Sequence, residues 1–183
     1  MNWYRIKSAI ISWFADIRFY KGGLIVWGES SYKVKGPHMR KVLKSLQPGD
    51  VLLRRYSNYL GSVLIKGFWS HAAIYVGYNT VIHAVGEGII EEDILTFMRC
   101  DSIEILRHPN LDIINNAIDK AIKMAGKNLE YDFNFTSGND KYYCTEFVDE
   151  CYNNCVSKFI KFKIIFPDDF EKCKEFEIIY TKK

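Results

Sequence analysis

Residues 69–86 read Trp-Ser-His-Ala-Ala-Ile-Tyr-Val-Gly-Tyr-Asn-Thr-Val-Ile-His-Ala-Val-Gly. Two β-rich runs, Ser70–Val76 and Thr80–Val85, flank the turn residues Gly77-Tyr78-Asn79, which is the signature of a β-hairpin. Strand periodicity sends Ala72, Ile74 and Val76 to one face and His71, Ala73 and Tyr75 to the other. In the second run Ile82 and Ala84 oppose Val81, His83 and Val85. The small apolar sets take the core, so His71 and His83 share the second face. With a three-residue loop, His71 lies opposite Val85 and His83 opposite Ala73. The two rings are then diagonal neighbours, roughly 7–8 Å apart at the backbone and within side-chain reach. Asn79 suits the left-handed position of such a loop. A two-residue loop would put the histidines on opposite faces.

Strands and helices alternate outward from this hairpin. Pro48-Gly49-Asp50 is a turn leading into a strand at Val51–Arg55, and Tyr59–Phe68 reads as a short helix. A helical turn at Ile94–Met98 precedes a strand at Ser102–Arg107. Leu111, Ile114, Ala117, Ile118, Ala121, Ile122 and Ala125 form a stripe of period 3.6, capped by Asn110 in front and Gly126 behind. A second helical stripe runs through Cys144, Phe147, Val148, Cys151, Tyr152 and Cys155. Pro167–Lys172 reads as one more helical turn and Phe176–Tyr180 as a last strand. Upstream, His38–Leu46 is a short helix, residues 28–37 are a loop, and residues 3–20 read as an amphipathic helix ended by Gly22-Gly23. The class is α+β, a mostly antiparallel sheet packed against helices.

The helical stripe at 144–155 brings a candidate nucleophile. A cysteine in the first turn of a helix feels the positive end of the dipole, which stabilises its thiolate. A histidine on a facing strand, oriented by a second polar side chain, completes the parts of a cysteine nucleophile. The same cysteine also lies on an apolar stripe, where free thiols pack inertly, and spacing alone leaves both readings open. Cys151 and Cys155, further along the stripe, are core thiols. Tyr131-Asp132 pins a loop. His38 and His108 have no partner in the pattern. A zinc site from His71, His83 and Cys144 would lack paired ligands at close spacing.

Composition narrows the function classes. Of 183 residues 48% are hydrophobic and 26% charged, as in ordinary globular domains, so disorder is excluded. No run of about 18 uncharged apolar residues occurs. The net charge of +3 is too small to argue for nucleic acid as a partner. That charge is uneven, with eleven Lys/Arg against three Asp/Glu in residues 1–60. Trp3, Trp13 and Phe14 on one helical stripe, beside Arg5, Lys7, Arg18 and Lys21, suit packing onto the domain. Left exposed, residues 1–21 would instead make peripheral contact with an anionic membrane. Five cysteines, an odd number at irregular spacing, argue against a disulfide framework. No secretory leader is legible, so the expected location is cytoplasmic.

A resemblance sharpens this reading. W-S-H-A-A-I-Y-V-G (69–77), V-I-H-A-V-G (81–86), A-G-K-N-L-E-Y-D-F-N-F (125–135) and Y-Y-C-T-E-F-V (142–148) together resemble the circularly permuted NlpC/P60 hydrolases, in particular their YiiX/YebB-like branch. Leu46-Gln47-Pro48-Gly49-Asp50-Val51-Leu52 is similar to the opening strand of that domain, and Phe166-Pro167-Asp168-Asp169-Phe170 to its closing turn. The resemblance implies an N-terminal extension (1–45) before a hydrolase domain (46–183) with a permuted papain-like fold, histidine preceding cysteine in the chain. It implies Cys144 as nucleophile, His71 as general base and His83 at the third polar position, where the branch often has Glu. It implies no cofactor, and peptide, amide or lipid-linked acyl groups as substrates. The order His…Cys is also similar to lecithin:retinol acyltransferase-like thiol enzymes, although their N-C-E-H-F signature is missing. The expected function is therefore a cysteine peptidase or amidase working through a thioester acyl-enzyme. A papain-like binding module without turnover is the competing expectation.

Overall fold

The computed structural model describes residues 17–19, 25–27, 32–57, 65–136, 138, 140–160 and 164–183. The chain forms two compact units, Met1–Tyr32 and Lys33–Lys183. In the first, β1 (Ile17–Phe19) pairs antiparallel with β2 (Ile25–Trp27), Ile17 opposite Trp27. The helix expected over residues 3–20 therefore does not run to its end. Ile17–Phe19 pairs along its backbone with Ile25–Trp27, and β-branched and aromatic residues favour such extended pairing. The rest of that helix lies outside the described residues.

In the second unit, α1 (Gly36–Ser45) leads to β3 (Val51–Arg55), β4 (His71–Gly77), β5 (Thr80–Val85) and β6 (Gly88–Asp93). Next come α2 (Ile94–Phe97), β7 (Ser102–Arg107), α3 (Leu111–Ala125), α4 (Cys144–Cys151), α5 (Pro167–Lys172) and β8 (Glu177–Lys182). Six strands form one sheet in the order β6-β5-β4-β3-β7-β8, every pair antiparallel. The helix expected at Tyr59–Phe68 falls mostly outside the described residues, and its described end, 65–68, is not helical. Strand β6 was not expected. Among the described residues no helix is long and apolar enough to cross a membrane.

Both faces of the sheet are covered. Ala72, Ile74, Ile82 and Ala84 pack with Ala117, Ala121, Phe147, Val148 and Phe170 from α3, α4 and α5. Leu52, Ala73, Val81 and Ile105 pack on the opposite face with Val34, Val42, Ile94 and Phe97. Each such side chain stabilises the fold by roughly 1.5–3 kcal/mol on burial. The histidine-bearing face is thus a second core.

Helix α3 obeys its pattern: the Asn110 side chain accepts hydrogen bonds from the Asp112 and Ile113 amides, and Gly126 caps the end. Helix α4 stops at Cys151, one turn before the stripe does. Asn153 and Asn154 adopt left-handed φ of 55° and 59°, and the Asp149 carboxylate accepts hydrogen bonds from the amides of Val156 and Ser157. Asparagine tolerates this conformation and ends the helix, while the turn still delivers Cys155 to the core.

Candidate active site

The hairpin turn differs from its expected form, yet the register survives. Tyr78 and Asn79 alone form the turn, with φ of 50° and 60°, both left-handed as a type I′ turn requires. By itself a two-residue turn would separate the histidines. A bulge between Tyr75 and Gly77 adds one residue to β4, and Ile74 pairs with Ile82, Tyr75 with Val81. Carried along the strands, this register sets Ala73 opposite His83 and returns both histidines to one face. His71 Nε2 lies 2.8 Å from His83 Nδ1, with the rings 73° apart in plane.

Four neighbouring strands each place one polar side chain on that face. Arg54 of β3 is directly across from His71, and Glu92 of β6 is diagonal to His83. Arg54 Nη1 donates to Glu92 Oε2 at 3.0 Å and to the Phe97 carbonyl at 3.4 Å, its guanidinium stacked 4.2 Å from the Phe97 ring centre. Glu92 Oε2 stands 3.8 Å from His83 Nε2. Burial, reinforced by the nearby Arg54 charge, holds His71 well below the usual imidazole range and His83 down to about 3. Both rings are neutral at ordinary pH.

Cys144 is the first residue of α4, which packs against β4 and β5. Its sulfur faces the Ala72 amide, one residue beyond His71, together with the Thr145 amide and its own N–H. These donors favour the thiolate, but burial outweighs them and pushes the thiol up. The expectation of a thiolate stabilised by the helix start is corrected here. The side chain is only 7% exposed, so lost hydration dominates the helix field. At rest Cys144 is a thiol and His71 a neutral imidazole; α4 packs on the sheet face opposite the one that bears His71, and Cys144 meets β4 at the backbone of Ala72.

Several long-range bonds fix the parts. The Tyr143 hydroxyl accepts the Ile165 N–H at 3.1 Å, and the Thr145 hydroxyl donates to the Ile165 carbonyl at 2.7 Å, anchoring the start of α4. Asp168 accepts the amides of Phe68 and Trp69 at 2.9 and 2.8 Å, clasping the chain where it enters β4. Gly67 has φ of 114°, and a side chain there would run into the Asp168 carboxylate. Asp132 accepts the amides of Asn134 and Thr136, the loop-pinning role expected of it. Glu146 accepts the Tyr143 amide, and burial pushes its carboxyl up to about 7.

Other candidates are structural. Cys151 and Cys155 are buried core thiols, and all five cysteines are free. His108 is buried against Tyr152 and Phe176, its Nδ1 accepting the Asn110 amide. His38 Nδ1 accepts the Lys35 amide beside α1. Among the described residues no cluster of His, Cys, Asp and Glu is arranged to hold a metal ion. Sequence reasoning missed Arg54 and Glu92. The Gly86-Glu87-Gly88 turn was the available signal, because it implies a third strand beside His83.

Comparison with known proteins agrees with this architecture. The chain is similar to the crystal structure of metalloprotein yiiX from Escherichia coli, with a TM-score of 0.61 at 16% identity, over 75% of this chain and 98% of that one. No curated protein matches. Residues 45–180 match the family described as "Permuted papain-like amidase enzyme, YaeF/YiiX". That span holds the whole six-stranded sheet but for its last two residues, both histidines and the cysteine-bearing helix, and the chain belongs to this family of permuted papain-like amidases.

Proposed function

We propose that this amidase cleaves an amide or related acyl bond with Cys144 as nucleophile, His71 as general base and His83 as the residue orienting it. The observation that carries this reading is the 2.8 Å contact between His71 Nε2 and His83 Nδ1. It commits Nε2 of His71 to its neighbour and leaves Nδ1 to take the thiol proton. A neutral imidazole is the form able to accept that proton. As the sulfur bonds to the substrate carbonyl carbon, the oxyanion gains support from the Cys144 N–H at the start of α4. Collapse expels the leaving group, which takes its proton from His71, and a thioester remains. Water then hydrolyses the thioester; an amine or alcohol acceptor would make the same site an acyltransferase. Peptides, other amides and lipid-linked acyl groups are the proposed substrates.

The test is to incubate the folded protein with a panel of amides and activated esters, then to read intact mass and map the adduct. A single acyl group on Cys144 is expected. No adduct with any panel member would favour a binding module, and an adduct that persists in Cys144→Ala would refute the nucleophile.

A further inference from the structure

Glu92 stands outside the three proposed catalytic residues, yet it is the carboxylate that faces the far side of His83. His83 is 1% exposed, and its Nε2 is buried without a hydrogen-bond partner. Glu92 Oε2 lies 3.8 Å from that nitrogen. Arg54 holds that oxygen at 3.0 Å, and Arg54 is fixed in turn by the Phe97 carbonyl and ring. One polar residue from each of β3, β4, β5 and β6 thus lies on a single sheet face under Phe97.

A neutral imidazole carries one proton, and its position decides what the other nitrogen can do. If His83 held it on Nδ1, the Nε2 lone pair would point at a carboxylate across a buried gap. His83 would then donate to His71 Nε2, and His71 would carry its own proton on Nδ1, the nitrogen required as base. With the proton on His83 Nε2, the N–H dipole points at Glu92, and His83 Nδ1 accepts from His71 Nε2–H. The lone pair of His71 Nδ1 is then free. At 3.8 Å the carboxylate, partly offset by the Arg54 guanidinium that holds the same oxygen, favours the second state.

We infer that Glu92, held by Arg54, is a positioning residue that keeps the His83 proton on Nε2 and so keeps His71 Nδ1 unprotonated for Cys144. This rests on the proposed Cys144–His71–His83 reading. It explains how a histidine, which can donate or accept, serves where the related branch has a carboxylate that only accepts.

Long-range proton–nitrogen correlation on the nitrogen-15-labelled full chain at neutral pH reads the tautomers directly. The acylation rate of Cys144 by p-nitrophenyl acetate reads the chemistry: acetyl moves to Sγ, p-nitrophenolate leaves and the thiol proton goes to His71. In the wild type both histidines should carry their proton on Nε2. Glu92→Leu should populate the Nδ1–H forms and slow acylation ~10–100-fold, the range seen when a partner that orients a histidine is lost. Glu92→Gln keeps the size without the charge, and it should populate both forms if the leucine variant does not fold. A wild-type His83 protonated on Nδ1, or tautomers unchanged in the variant that folds, would overturn the inference. If Cys144→Ala instead releases p-nitrophenolate as fast as the wild type, the nucleophile reading fails, whatever the tautomers show.

Discussion

Cys144→Ala removes one sulfur atom from a nearly closed site, leaving a modest cavity and no base-activated nucleophile. Turnover should vanish while the thermal melt stays near the wild-type value. Cys151→Ala should do the reverse, costing about 1 kcal/mol of stability with chemistry unchanged, because its thiol only packs. His71→Ala should come close to complete loss, and His83→Gln should cost less, since orienting a base is less demanding than being one. His83 also carries a pH signature. Its folded value is about 3, against an ordinary value of 6.5. As pH falls below 6.5 the unfolded chain takes up a proton that the folded chain refuses, so the native state loses stability. The loss reaches roughly 2–3 kcal/mol by about pH 4.5 and stops growing near the folded value. His83→Gln lacks this term. Urea unfolding at neutral and acid pH should show the variant gaining on the wild type as pH drops; parallel curves would contradict it.

Between elements, two carboxylates, Asp50 buried and Asp168 half-buried, tie the sheet to its surroundings. Asp50 is 1% exposed and receives both Nε and Nη2 of Arg107 at 2.7 and 2.8 Å, joining the start of β3 to the end of β7. Arg107→Ala would strand that carboxylate and should cost about 3–5 kcal/mol. Asp168→Ala would leave the Phe68 and Trp69 amides unpaired, at roughly 1–3 kcal/mol each. It should also slow acylation, because it frees the segment that delivers His71. Neither tie was legible in the sequence, since Asp168 and Phe68 are 100 residues apart and no local pattern joins them. What was legible is local period. The strands Val51–Arg55, Thr80–Val85 and Ser102–Arg107 and the helix Leu111–Ala125 follow their patterns from end to end. The histidine register was legible for a different reason than expected, a two-residue turn offset by a bulge at Val76. Strand β6 escaped because its apolar residues, Ile89 and Ile90, run directly into Glu91, Glu92 and Asp93. Glu92, which faces His83, escaped with it.

Across the whole molecule, Lys33–Lys183 carries its own two-sided core. A chain beginning at Lys33 should therefore melt cooperatively. One beginning at Leu46 would lose Val34 and Val42 from the second core, a cost of about 3–6 kcal/mol that calorimetry should register. Contact of residues 1–21 with anionic lipid stays a proposal. Co-sedimentation with anionic vesicles should be lost on their removal and weakened by salt. The five free thiols offer a test of the central claim that Cys144 is chemically set apart. Exposure alone ranks Cys173 first, as the one thiol that is not buried, with Cys144 among four closed ones. Activation by His71 ranks Cys144 first. The deciding measurement is site-resolved alkylation of the folded protein by iodoacetamide at neutral pH, in the wild type and in His71→Ala. The account predicts that Cys144 reacts first in the wild type and slows ~100-fold or more without His71, the loss expected of a missing general base. Modification of Cys173 ahead of Cys144, or a Cys144 rate indifferent to His71, would contradict it.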